Sequence, residues 1–387
     1  MPLNILISIL LTFHLNTCHQ ESDGLRNSQI RFERDKIGTI AFLGGSITQN
    51  GGWRDSICSY LQERFPETSF TFISAGIASM GTTPGAFRLE RDLLSKGSVD
   101  LLFEEAAVND ATNGRSRDEQ IRGMEGIIRH TLTANPATDI VVMHFVDQDK
   151  MNTYNRGEIP EVIRNFDLVT DHYNIGTINL ALEVTRRINR GEFNWEDDFK
   201  DVHPSPFGQG IYFRSIKAFL EEAYSPALTV SEQITPHNIP RAIDPYCYDR
   251  GEIIPFTEAF DIKGFELHPN WSPVGNYGTR KGYSELDMLI GERAGDCFSF
   301  RFEGRAVGIM VAAGPDAGMI EYSIDGGEVQ TADLFTRWSQ QLYLPWYLTL
   351  AAELDQGPHT LELKISGDKN PNSSGHSCII KAFYINK

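Results

Sequence analysis

The chain has 387 residues, enough for two domains, and its 41% hydrophobic content is that of an ordinary globular protein with a sizeable core. A formal charge of −17, with no basic patch interleaved with aromatics, argues against nucleic acid or an anionic membrane surface as a partner.

Residues 1–18 read as a targeting segment rather than fold. Leu3 to Leu15 is an apolar run long enough for the hydrophobic region of a signal peptide but too short to span a bilayer. Leu15-Asn16-Thr17-Cys18 is similar to a bacterial lipobox, in which Cys18 would become the lipidated first residue, although Asn16 and Thr17 stand where small residues are usual. The polar residues 19–35 read as a tether. The expected location is outside the cytoplasm, periplasmic or at the cell surface, with membrane contact only through a lipid on Cys18.

From 36 to 224 short apolar strands alternate with helical stretches. Gly38–Leu43 reads as a strand and Trp53–Phe65 as an amphipathic helix, with Trp53, Ile57, Tyr60, Leu61 and Phe65 near helical spacing. Ser69–Ile73, Val99–Phe103 and Asp139–Phe145 are further strands. Phe87–Leu94, Arg117–Thr131, Pro160–His172, Asn179–Arg190 and Phe207–Glu222 are further helices. This alternation predicts a three-layer α/β domain, a flavodoxin-like parallel sheet covered on both faces, with ligands at the carboxyl ends of its strands.

Residues 225–245 carry several prolines and no periodicity, as a linker would. The last part, 246–387, reads as an all-β sandwich or jelly roll. Its candidate strands are Cys297–Phe302, Ala306–Val311, Met319–Ile324, Tyr343–Thr349, His359–Ile365 and Cys378–Ile385, and Asp325-Gly326-Gly327 signals a hairpin turn. Cys58 reads as a core thiol, while two of Cys247, Cys297 and Cys378 could pair in an exported protein. Trp271, Trp338, Tyr343, Trp346 and Tyr347 could stack on sugar rings, but such residues more often fill cores and domain junctions.

Three short motifs carry chemistry. In Gly44-Gly45-Ser46-Ile47-Thr48, two glycines after a strand would permit the positive φ of a tight turn that lifts the Ser46 hydroxyl into a cleft. The Ser46 N–H would sit at a helix N-terminus, where negative charge is favoured. The competing reading is that Ser46 or Thr48 only caps the helix. Asn109, in Val108-Asn109-Asp110, follows a strand and could aim its amide at an oxyanion. In Asp201-Val202-His203-Pro204 a histidine with an acidic neighbour precedes the last helix. A serine, a histidine, an acid and a spare amide are the components of an ester-cleaving site. His144, Asp147 and Asp149 read as a polar loop rather than a metal site. Glu104 and Glu105, adjacent on a strand, point to opposite faces and cannot act as a carboxylate pair.

In this order, and with Ser74-Ala75-Gly76-Ile77-Ala78-Ser79-Met80-Gly81 between the first two, the motifs resemble the four blocks of the SGNH (GDSL-like) hydrolase family in its GGSIT form, over roughly residues 36–224. The resemblance implies that Ser46 is the nucleophile and His203 its base, with an oxyanion hole from the Ser46 N–H, the Ser79 N–H and Asn109. The chain departs from the family where Ala107 and Ser79 replace glycines, so that Gly81 is an alternative donor to Ser79. It departs again where Lys200 holds the place of the acid, three residues before the histidine. Asp201 is then the expected acid, Asp198 the alternative, and a Ser-His dyad the third possibility. No metal or organic cofactor is needed. The expectation is an exported serine esterase acting on an acylated, chiefly acetylated, carbohydrate or another small ester. The alternatives are a carbohydrate-binding protein with a degenerate hydrolase domain and an O-acyltransferase.

Overall fold

The computed structural model describes residues 25–387; the apolar N-terminal run, the lipobox-like segment and Cys18 lie outside the described residues. Strands β1 (Ile37–Gly44), β2 (Ser69–Gly76), β3 (Leu101–Glu104), β4 (Asp139–Met143) and β5 (Gly176–Ile178) form one parallel sheet in the order β2-β1-β3-β4-β5. β3 and β4 are buried along their whole length, as runs covered on both faces must be. Among the described residues, ten α-helices cover the sheet or join its strands: α1 (Arg26–Ile30), α2 (Ser46–Gln49), α3 (Trp53–Arg64), α4 (Thr82–Asp92), α5 (Ala107–Thr112), α6 (Arg117–Ala134), α7 (Gln148–Asn155), α8 (Glu161–Tyr173), α9 (Leu180–Asn189) and α10 (Pro206–Ala223). Strand order reverses between β1 and β3, and the crevice outside the carboxyl ends at such a switch point is where this topology binds ligands. Gly44 pairs with Gly76, and Leu43 with Glu104, so the loops after β1, β2 and β3 leave the sheet at one level.

The stretch expected to be a tether is structured from Leu25 onward: α1 is followed by a further helical segment, Arg31–Asp35. The reason is its few apolar side chains. Phe32 is fully buried against the rings of Phe65, Phe70 and Tyr224, and Asp139 accepts the Ser28 N–H at 2.7 Å. The segment 225–245 has no regular structure but is fastened to the α/β domain. His237 meets Asp139 at 2.8 Å, and Glu125 accepts the N–H groups of Ile243 and Asp244 at 2.6 and 3.0 Å.

Twelve strands follow: β6 (Gly251–Pro255), β7 (Ala259–Lys263), β8 (Glu266–Trp271), β9 (Gly278–Thr279), β10 (Leu286–Gly291), β11 (Cys297–Gly304), β12 (Ala306–Ala313), β13 (Met319–Ile324), β14 (Gln330–Asp333), β15 (Leu342–Ala351), β16 (Gly357–Ile365) and β17 (Cys378–Asn386). They form two sheets, ordered β8-β10-β17-β12-β15-β9 and β14-β13-β16-β11-β7, and β6 pairs with β17. In β11, Phe298, Phe300 and Phe302 alternate inward, as one buried face requires. The central strands β12 and β17 of the first sheet are covered on both sides. Phe383 and Ile385 of β17 belong to the sandwich core, while Ala382 and Tyr384 join the core of the α/β domain. Phe87 of α4 packs against Tyr384 and Tyr248 with ring centroids 4.4 and 4.8 Å apart. The two parts therefore share one continuous apolar junction. Trp271, Tyr343 and Tyr347 are buried, and Trp346 lies 4.7 Å beneath the Arg115 guanidinium. Cys58, Cys247, Cys297 and Cys378 carry free thiols.

Candidate active site

Ser46 is the first residue of α2, immediately beyond β1, and His203 lies in the turn before α10. The Nε2 of His203 is 2.7 Å from Ser46 Oγ. Trp53 couples the elements that carry them: its indole N–H donates to the Ile47 carbonyl at 3.3 Å, and its backbone N–H to Gln209 of α10 at 3.0 Å. The histidine turn is fixed from below. Phe199 is fully buried and stacks on Trp195, and its carbonyl accepts the Ser205 N–H at 2.9 Å. Ser205 then caps α10, with Pro206 in the first turn where a missing N–H is harmless.

Neither Gly44 nor Gly45 has positive φ, contrary to the expected reason for the glycine pair. They are needed for space. A Cβ on Gly44 would come within 2.4 Å of the Glu105 carboxylate, and one on Gly45 within 1.9 Å of Asn109 Oδ1 and 3.3 Å of the Met80 carbonyl. Gly45 is thus where the loops after β1, β2 and β3 meet. Ser46 and Thr48 are not caps, because Gly45 holds the cap position and Thr48 Oγ1 donates to Glu105 at 2.8 Å.

The Ser46 N–H belongs to the first helical turn, which leaves its donors without intrahelical partners. Ser79 stands at φ +68°, a left-handed conformation that glycine adopts freely and serine rarely, which accounts for the family preference at this position. Its carbonyl accepts from Asn113 at 2.9 Å, and among the described residues its N–H meets no acceptor. Gly81 has an ordinary φ and serves a different need, since a Cβ there would strike Asp110 Oδ1 at 1.8 Å.

The expected acid is beside the imidazole without a hydrogen bond to it. Asp201 Oδ1 accepts the His203 backbone N–H at 2.5 Å and lies 3.8 Å from Nδ1. Both side chains are open to water, 66% exposed for Asp201 and 45% for His203, so solvent screens their attraction. Lys200, in the family's acid position, has φ +86°, and Asp198 accepts the Asn194 N–H at 2.8 Å instead. His144 is buried and pairs with Asp167 at 3.0 Å, whereas Asp147 caps α7 and pairs with Lys150, so the polar loop after β4 divides among separate partners.

Glu105, which the sequence suggested only as half of an unworkable carboxylate pair, and Arg88, which it did not suggest, support the loop that carries Ser46. Glu105 accepts the Gly45 N–H at 2.7 Å as well as the Thr48 hydroxyl, and fully buried Arg88 donates to the Gly44 carbonyl at 3.1 Å. Burial raises the Glu105 carboxyl to about 7, opposed by the hydrogen bonds from Thr48 and Gly45. Burial raises Asp110 to about 6, opposed by the Thr82 hydroxyl and N–H, and pushes Glu104 well up.

Residues 42–211 match the GDSL-like lipase/acylhydrolase family. The α/β domain belongs to that family. The chain is thereby a carboxylic ester hydrolase of the SGNH type. No curated protein sequence matches it. Among solved structures, a two-domain esterase (CEX) active on acetylated mannans, co-crystallized with mannopentaose, is 19% identical with a TM-score of 0.73 over 94% of each chain. A second structure of a two-domain esterase so described gives 20% and 0.70 over 95% of this chain and 96% of that one. At that identity the likeness establishes the fold, an SGNH α/β domain followed by β-sheets.

In the folded chain Glu105 keeps its proton to about pH 7, whereas an unfolded glutamate releases it near 4.5. Over that window the folded state holds the extra proton, so stability falls as pH rises. Urea denaturation should show wild type losing more stability than Glu105→Gln between pH 4.5 and 7.5, by up to about 3 kcal/mol. Equal losses would remove Glu105 as the titrating group.

Proposed function

We propose that the enzyme removes acetyl groups from a carbohydrate by acyl transfer through Ser46. The observation that carries this reading is the 2.7 Å contact of Ser46 Oγ with His203 Nε2, beside a helix N-terminus and the unbonded Ser79 N–H. His203 takes the hydroxyl proton as Ser46 attacks the ester carbonyl. The N–H groups of Ser46 and Ser79 and the Asn109 amide stabilise the oxyanion, each donor contributing on the order of 10²–10³ in rate. His203 returns the proton to the leaving sugar hydroxyl. A water deprotonated by the same imidazole then releases acetate and frees Ser46.

Asp201 acts as a weak orienting charge, so the unit works close to a Ser-His dyad. A carbohydrate substrate is supported by the two-domain esterase of the same architecture that is active on acetylated mannans. The apolar run Leu3–Leu15 and Cys18 support export and a lipid anchor.

Ser46→Ala should abolish acetate release from acetylated mannan and hydrolysis of p-nitrophenyl acetate with its melting temperature unchanged. Turnover persisting in that variant would refute the nucleophile, and a panel of acetylated glycans that releases no acetate would refute the substrate. Asp201→Asn should cost about tenfold or less in kcat, against roughly 10⁴ for a buried triad aspartate. A loss of the larger size would restore a full triad. Fractionation of the producing cells should find the native chain with membranes and Cys18→Ala in the soluble exported fraction. Identical partition of the two would exclude the anchor.

A further inference from the structure

We infer that Arg280 of the sandwich is a positioning residue for the oxyanion loop, so that the second domain completes the catalytic geometry of the first. This rests on the acyl-transfer reading above. The Nε of Arg280 donates to Ser79 Oγ at 2.9 Å, across 201 residues of sequence. Ser79 is the residue of that loop with positive φ and an N–H that meets no acceptor among the described residues. Before Ser79 the loop is held by two further bonds. The Ile77 N–H reaches the Gly44 carbonyl at 3.0 Å, and the Ala78 N–H reaches Gln49 at 3.0 Å. At Ser79 itself the grips are Asn113 on the carbonyl and Arg280 on the hydroxyl. Serine in place of the family glycine thus provides an acceptor for the other domain, while a left-handed backbone that serine disfavours is held in place.

Arg280 is itself anchored. It follows β9, whose Thr279 pairs with Tyr343 and donates its hydroxyl to the Tyr343 carbonyl at 2.7 Å. Its own carbonyl accepts from Tyr283, a side chain buried in the junction between the domains. Arg280 forms no ion pair among the described residues, and half-burial depresses its pKa. A partly desolvated guanidinium whose hydrogen-bond partner is a neutral hydroxyl adds positive charge to the loop that faces the developing oxyanion.

The test is a double-mutant cycle on the full chain with p-nitrophenyl acetate, an ester too small to need sugar contacts. Hydrogen exchange of the segment 74–84 accompanies it. Arg280→Ala and Ser79→Ala should each lower kcat about tenfold or more with KM within about twofold, and the double variant should be no worse than either. Arg280→Lys should recover part of the loss. Exchange in 74–84 should rise in every Ala variant while β1 stays protected. Unchanged kcat, additive losses, or a defect confined to KM on acetylated glycan would overturn the inference, the last by making Arg280 a sugar contact. If wild type itself hydrolyses no ester, the acyl-transfer reading fails separately. The exchange arm then decides: faster exchange upholds the positioning, and unchanged exchange overturns it.

Discussion

The hydrogen bond between Ser46 and His203 joins residues 157 apart and constrains much of the α/β domain. For it to form, the β1 loop must turn toward the crevice between β1 and β3, and the chain must return over the sheet before α10. Trp53 is the mechanical link, since it touches both α2 and α10. Glu105 and Arg88 fix the loop from beneath, by the Gly45 N–H and Thr48 hydroxyl and by the Gly44 carbonyl. Placing Glu105 there is costly, because burial disfavours its charged form. The hydrogen bonds of Glu105 and Arg88 hold the turn that carries Ser46.

The sandwich is joined to the same end of the α/β domain. Its first sheet has a second apolar face, and that face is covered by α4 and its neighbours. Polar contacts then cross the junction to the loops that follow β2 and β3. Arg280 reaches Ser79, Arg337 reaches the Thr112 carbonyl, and Arg115 reaches the Tyr347 carbonyl at 2.8 Å. The sandwich thus touches the loop that carries Ser79 and the helix that carries Asn109.

Sequence periodicity made most strands and long helices legible, because each is a buried apolar run or an apolar stripe bounded by polar turns. β5 escaped, since Gly176–Ile178 is too short to show a period. The segment Arg26–Asp35 escaped because its polar composition conceals Phe32, and one fully buried ring is enough to dock it. At the site, the convergence of Ser46 with His203, and of Asn109 with Gly45, was legible from their places at strand ends and before the last helix. The reason for Gly44 and Gly45 was not. It lies in the approach of Glu105 and Asn109, which only tertiary structure supplies. The place of Glu105 beneath this loop, and the contact of Arg280 with Ser79, were illegible for the same reason, since each partner is remote in sequence. The position of Asp201 shows the limit of motif spacing. One residue of slip turns its carboxylate onto the backbone N–H of His203 and away from Nδ1.

The most direct test of the account is covalent labelling by a fluorophosphonate, which reacts with a serine only when a neighbouring base activates it. Mass spectrometry of the wild-type chain should find one adduct, on Ser46, and His203→Ala should label at least about a thousandfold more slowly. An adduct on another residue, or a labelling rate indifferent to the loss of the imidazole, would contradict the convergence on which the account is built.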